Sequence, residues 1–136
     1  MKYFTIKELC RSATAEARGV DNTPTDEVIG NLTKLVDNVL DPVREAWGGP
    51  ITVNSGYRCE ALNAAVGGVA DSNHLYGRAA DLTVGSKAGN KKLYGQIVNS
   101  GLAYDECFGE NGFSWVHVAY REGGNRYKKG QLAAQR

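Results

Sequence analysis

No stretch of this chain stays apolar for the length of a bilayer crossing. The opening Met1-Lys2-Tyr3-Phe4-Thr5-Ile6-Lys7-Glu8 lacks even the shorter apolar run of a secretory leader. The chain as written is therefore expected to carry no signal peptide and to be made in a cytoplasm, unless it was trimmed earlier. Neither sign of charge dominates: 16 basic and 15 acidic residues leave a net charge of +1, with Lys and Arg scattered. No basic stripe argues for nucleic acid, and no basic amphipathic helix argues for a membrane surface. No heptad pattern or long exposed apolar face is present, which makes a monomer the default expectation. Cysteine is scarce and odd in number. Cys10, Cys59 and Cys107 contain no CxxC pair, which argues against a cysteine zinc site. They read as free, partly buried thiols, with one disulfide plus one free thiol as the alternative. Internal repeats and low-complexity tracts are missing too. Histidine is scarcer still, with only His74 and His117.

What remains is an ordinary globular composition, 42% hydrophobic and 23% charged over 136 residues. It reads as a single domain spanning 1–136, of which about 121–136 forms a flexible basic tail that is Gly-rich at its start. Thr5 and Glu8 fit a capping box for a short first helix. The polar stretch 12–21 reads as loop with about one helical turn. Pro24-Thr25-Asp26-Glu27 opens a long helix with Ile29, Leu32, Leu35, Val36, Val39, Leu40, Val43 and Trp47 on one face. Pro42 predicts a kink in it near 39–41, and Gly48-Gly49-Pro50 stops it. Strands are predicted over 51–54, 79–84, 104–108 and 115–120, and shorter helices over 60–66 and 90–99. The last two strands form a hairpin across Gly109-Glu110-Asn111-Gly112. The fold class is α+β, a small mainly antiparallel sheet with helices packed on one face.

The two histidines lie in the most informative segments. Ser72-Asn73-His74-Leu75-Tyr76-Gly77-Arg78-Ala79-Ala80-Asp81 places a His and an Asp seven residues apart across a turn that Gly77 can make. His117 sits in an alternating strand, sharing a face with Trp115 and Ala119, while Val116 and Val118 face the other way. Two neutral imidazoles and one carboxylate would make a three-ligand zinc site with a fourth position open to water, the hallmark of a catalytic rather than a structural zinc. Either His alone would more readily be a core or surface residue; the three together with their flanking residues favour metal.

Ser72-x-His74-x-x-Gly77-x-Ala79-x-Asp81 followed by Trp115-x-His117 resembles the zinc D-alanyl-D-alanine carboxypeptidase family. That family includes D-Ala-D-Ala dipeptidases and phage L-alanyl-D-glutamate endolysins, and the zinc domain of hedgehog signalling proteins is similar. The likeness runs from about Phe4 to Arg126, with Asn54-Ser55-Gly56-Tyr57-Arg58 in the family's order. The resemblance implies that His74, Asp81 and His117 ligate one Zn2+ per chain. It also implies a role for Arg58, whose guanidinium beside the metal could hold a substrate carboxylate or an oxyanion. Ser72, Tyr57 and Trp115 are further substrate-binding candidates, each with a packing or loop-organising alternative. Manganese or cobalt could occupy the same ligand set.

Zinc chemistry needs a carboxylate to take the proton of the water and deliver it to the leaving amine. Several family members carry an acid three residues before the last His, but here Ser114 stands in that place. In the similar hedgehog arrangement the Glu sits further upstream near a turn, and this resemblance favours Glu110, seven residues before His117 and expected at the hairpin's turn, as the base, with Asp105 and Glu106 as alternatives. The resemblance implies a zinc peptidase acting on peptidoglycan stem peptides, at D-Ala-D-Ala or L-Ala-D-Glu bonds. It would be a phage or prophage lysis enzyme released through a holin, or another cell-wall enzyme. Ser114 keeps open a catalytically silent zinc-binding module that docks on the wall.

Overall fold

The computed structural model describes residues 1–136. In chain order it has α1 (Ile6–Cys10), α2 (Ala13–Arg18), α3 (Asp26–Leu35), a π-helical turn (Val36–Leu40), α4 (Asp41–Trp47), β1 (Thr52–Ser55) and α5 (Glu60–Ala65). A short 3-10 helix (Asn73–Tyr76), β2 (Ala79–Thr83), α6 (Lys87–Val98), β3 (Glu106–Glu110), β4 (Trp115–Ala119) and β5 (Lys128–Leu132) follow. The class is α+β as expected. One sheet runs in the order β1-β2-β4-β3-β5. Its neighbours are antiparallel except for the parallel β3–β5 pair.

Side-chain caps set the helix starts. Thr5 Oγ1 accepts from the Glu8 amide at 3.1 Å, and Thr25 Oγ1 accepts from Val28 at 3.2 Å. The stretch 12–21 is more helical than expected. Ser12 Oγ accepts from Ala15 at 3.1 Å, and Gly19 closes α2 in the left-handed region. Helix α6 begins at Lys87 rather than at 90, because Ser86 Oγ accepts from Gly89 at 3.0 Å and caps the extra turn. The kink expected near Pro42 takes a different form. Proline has no N–H for the carbonyl four residues back. The chain widens into a π turn there, with the Asp41 amide reaching Val36 O.

Strand alternation gives the sheet two unlike faces. Ala80, Leu82, Cys107, Val116 and Val118 join Leu32, Leu35, Val39, Leu40, Leu93 and Ile97 in one apolar core. The opposite face is polar. Asp81 pairs with His117, Phe108 with His117, and Glu110 with Trp115 in register. Directly opposed residues share a face, so the register alone gathers these side chains.

Two sequence expectations are corrected here. The hairpin's first strand, β3, is shifted to Glu106–Glu110, so Glu110 is a strand residue paired to Trp115 and not part of the turn. Its turn is 111–114, where Asn111 and Phe113 take positive φ of 49° and 61°. The segment after 121, expected to fray, carries β5. The Lys128 amide donates to Asp105 O at 3.0 Å and the Asn111 amide to Leu132 O at 2.9 Å. The basic residues of this segment find buried acids: Arg126 lies 2.8 Å from Asp105 and Arg136 lies 3.0 Å from Glu106. No helix is long and apolar enough to cross a membrane.

Candidate metal centre

His74 is held by the local fold of its motif. Ser72 Oγ accepts from the His74 amide at 3.2 Å and starts the 3-10 turn. Gly77 ends it at φ 71°, where a Cβ would stand 2.8 Å from the Val28 carbonyl. Only glycine makes this reversal without strain and without a clash. The chain then enters β2, whose register sets Asp81 beside His117. His74, Asp81 and His117 are all buried, and each offers one ligand atom within 4.8 Å of the others'.

The far side of each imidazole identifies the converging atoms. His74 Nδ1 donates to the Gly56 carbonyl at 2.6 Å, which leaves Nε2 facing Asp81 Oδ1 at 3.2 Å. Gly56 itself is required by close packing, since a Cβ there would stand 2.1 Å from Leu9 O. His117 has its Nε2 2.9 Å from Glu106 Oε1 and its Nδ1 3.1 Å from Asp81 Oδ1. With each outer N–H donated away, two nitrogen lone pairs and a carboxylate oxygen point at one spot. Such an array repels itself unless a cation or protons sit between its members. Two imidazoles and one carboxylate suit a zinc ion, and the bonded outer nitrogens are the usual means of fixing ligand tautomers.

The electrostatics agree. Burial opposes charge on His117, but hydrogen bonds to Asp81 and Glu106 outweigh it and hold the imidazole up at about 9. At His74 burial wins and lowers the pKa despite Asp81. Burial would raise Asp81, yet the two imidazoles hold it well below the usual carboxylate range. The pocket is thus already arranged for positive charge at its centre.

Glu110 and Arg58 flank this cluster. Burial raises the Glu110 carboxyl, with His117 pulling the other way. Its Oε1 accepts from Trp115 Nε1 at 2.8 Å, while Oε2 is buried without a partner. Arg58 is only 2% exposed, and its three guanidinium nitrogens have no hydrogen-bond acceptor. Its own amide donates to the His74 carbonyl at 3.0 Å, which seats the side chain beside the cluster. Burial lowers its pKa against the pull of Asp81 and Glu110. Unpaired donors at that depth are costly unless a ligand meets them. A cleft of ≈ 530 Å³ reaches them, lined by Ser12, Asn54, Arg58, Asp81, Trp115 and Gln135 among others.

The remaining candidates fall elsewhere. Tyr57 packs in the apolar core and not along the cleft. Ser72 is buried as the 3-10 cap. Asp105 is bound by Arg126, Arg121 and Asn73, with Arg126 at 2.8 Å and Asn73 Nδ2 at 2.9 Å. Glu106 is bound to His117 and Arg136. Ser114 lies in the hairpin turn, its hydroxyl donating to Asn111 O at 2.7 Å. Cys10, Cys59 and Cys107 are free, and burial pushes the Cys107 thiol up to about 12. Residues passed over in the sequence also matter. Asn73 bridges Asp105 and Glu106. The C-terminal residues fold back over β3, where Arg136 lies across the Phe108 ring and its carbonyl accepts from Val69 at 3.3 Å. Asn73 stands next to His74 in the quoted motif, but no pattern in the sequence singles it out.

A family model described as Peptidase M15 matches residues 2–119. A zinc D-Ala-D-Ala carboxypeptidase of Streptomyces albus G is 51% identical over 85 residues, covering 62% of this chain and 32% of that protein. The chain thus spans about a third of the length of the curated relative it matches.

Proposed function

Because the chain belongs to the peptidase M15 family, we propose that it is a zinc peptidase of the D-Ala-D-Ala carboxypeptidase type. His74 Nε2, Asp81 Oδ1 and His117 Nδ1 hold the metal. The substrate is a peptidoglycan stem peptide. The reading rests above all on those three atoms converging while the outer nitrogen of each imidazole is occupied by Gly56 or Glu106.

A zinc ion held by His74, Asp81 and His117 would lower the pKa of its bound water toward about 7 and polarise the scissile carbonyl. The chain's own residues do the rest. Glu110 has one oxygen tied to Trp115 and one free, and its burial raises its proton affinity. It takes the proton released by the attacking water and hands it to the departing amine. Arg58, with unpaired donors at the cleft's floor, grips the substrate's free carboxylate or the developing oxyanion. Trp115 holds Glu110 and forms part of the cleft wall. A carboxylate grip favours cleavage next to a chain end, and hence a carboxypeptidase action.

A phage or prophage lysis role, with release through a holin, is the biological setting we favour for such an activity. The test is mass spectrometry of fragments released from a defined muropeptide. Release of a terminal D-alanine by the wild type, lost in Glu110→Ala, supports the reading. Zinc retention with no bond cleaved would favour the wall-docking module instead.

A further inference from the structure

Glu106 was a candidate proton carrier, but both of its oxygens are engaged. Oε1 lies 2.9 Å from His117 Nε2 and accepts from Asn73 Nδ2 at 2.8 Å. Oε2 faces Arg136 Nε at 3.0 Å. The residue is 1% exposed, so these contacts are made away from water.

From this contact geometry we infer that Glu106, clamped by Asn73, is a positioning residue that fixes His117 in the tautomer and rotation presenting Nδ1 to the metal. The inference rests on the zinc reading of the site. Without an acceptor on Nε2 the imidazole could place its proton on Nδ1 and turn its lone pair away. Glu106 lies two residues before Phe108, which stacks on the His117 ring at 6.1 Å between centroids. One strand thus supplies both an acceptor at the ring's edge and a wall along its face. Asn73 ties the two halves of the site. It precedes His74 in the 3-10 turn and bonds to Asp105, just before β3, and to Glu106, the first residue of β3. One amide therefore links the loop carrying the first histidine to the strand that orients the second. Glu110, by contrast, keeps an oxygen free, which separates the two acids into an orienting role and a proton-carrying role.

The test is zinc affinity by competition with a chromophoric chelator, together with the visible spectrum of the cobalt-loaded protein and hydrolysis of a defined muropeptide. The panel is wild type, Glu106→Gln, Glu106→Ala and Asn73→Ala, each checked for folding by melting in the metal-free state. Glu106→Ala should bind zinc about 10–100-fold more weakly and alter the cobalt bands. Glutamine still offers an acceptor oxygen, so Glu106→Gln should stay within about threefold of wild type in affinity and keep its cobalt spectrum and most of its activity. Asn73→Ala should weaken zinc binding in the same direction, and it reports on the clamp if Glu106→Ala fails to fold. Unchanged affinity in folded Glu106→Ala would overturn the inference alone. So would a Glu106→Gln protein that binds zinc normally but cleaves nothing, since Glu106 would then carry the proton. A folded wild type without zinc affinity would instead overturn the reading beneath it.

Discussion

Trp115 Nε1 donates to Glu110 Oε1 at 2.8 Å across the β3–β4 register, and the other Glu110 oxygen is left free beside the metal-binding cluster. This bond aims the acid. Trp115→Phe keeps the ring and removes the donor. It should lower kcat by about tenfold with little change in zinc affinity, whereas Glu110→Gln should lower kcat by about 10²–10⁴-fold. Steady-state kinetics with zinc content measured on the same samples separates the two effects.

Arg58 carries three unpaired donors at 2% exposure. If it grips a carboxylate, wild type should cleave a peptide ending in a free carboxylate much better than its carboxamide twin. Arg58→Ala should lower kcat/KM for the acid by about 100-fold and nearly erase that preference. Arg58→Lys should recover only part of it, because a point charge does not reproduce the planar fork. An unaltered preference in Arg58→Ala would assign the grip elsewhere.

Asp105 offers a stability test outside the three-residue cluster. Burial would raise its carboxyl, but Arg126, Asn73 and Arg121 hold it at about 2 instead of 3.8. A lowered folded pKa stabilises above the unfolded value and fades as pH falls through the folded one. With the partly exposed Arg121 and Arg126 screened by solvent, the shift corresponds to about 1–2 kcal/mol. Asp105→Asn should thus be less stable than wild type by about that much near neutrality, and the gap should shrink steadily between pH 5 and 2. Urea denaturation across that range reads it.

Gly77 is a conformational test. At φ 71°, with a Cβ facing Val28 O at 2.8 Å, Gly77→Ala combines a left-handed backbone with a clash. It should destabilise by about 1–3 kcal/mol and weaken zinc binding, because the turn it closes carries His74. A melting curve and a zinc titration on the same preparation check both halves.

Much of this was legible in the residues, for local reasons. The Thr5–Glu8 capping box, the helix opening at Pro24-Thr25-Asp26-Glu27, the apolar spacing through Leu32, Leu35 and Val39, and the alternation of Val116, His117 and Val118 are short-range patterns, and each element formed about where they indicated. The nearness of His74 to Asp81 was visible because the two flank a turn only glycine makes. Less legible was whatever depends on partners distant in sequence. Glu110 moved from turn to strand because β3 pairs with β4 two residues later than its apolar run suggested. The strand of 128–132 escaped notice because its residues, Lys128-Lys129-Gly130-Gln131-Leu132, carry no strand pattern of their own and take their shape from the edge of β3. The roles of Asp105 and Glu106 turned on Arg126, Arg136 and Asn73, contacts that no spacing along the chain announces. Tyr57, next to Arg58 in the same motif, turned inward to the core.

The most direct test of the account is the zinc content of the purified, dialysed protein beside His74→Ala, Asp81→Ala and His117→Ala. One zinc per wild-type chain, lost together with hydrolysis in each variant while the fold persists, is the result the geometry predicts. A folded wild type that holds no zinc, or variants that keep it stoichiometrically, would contradict the account.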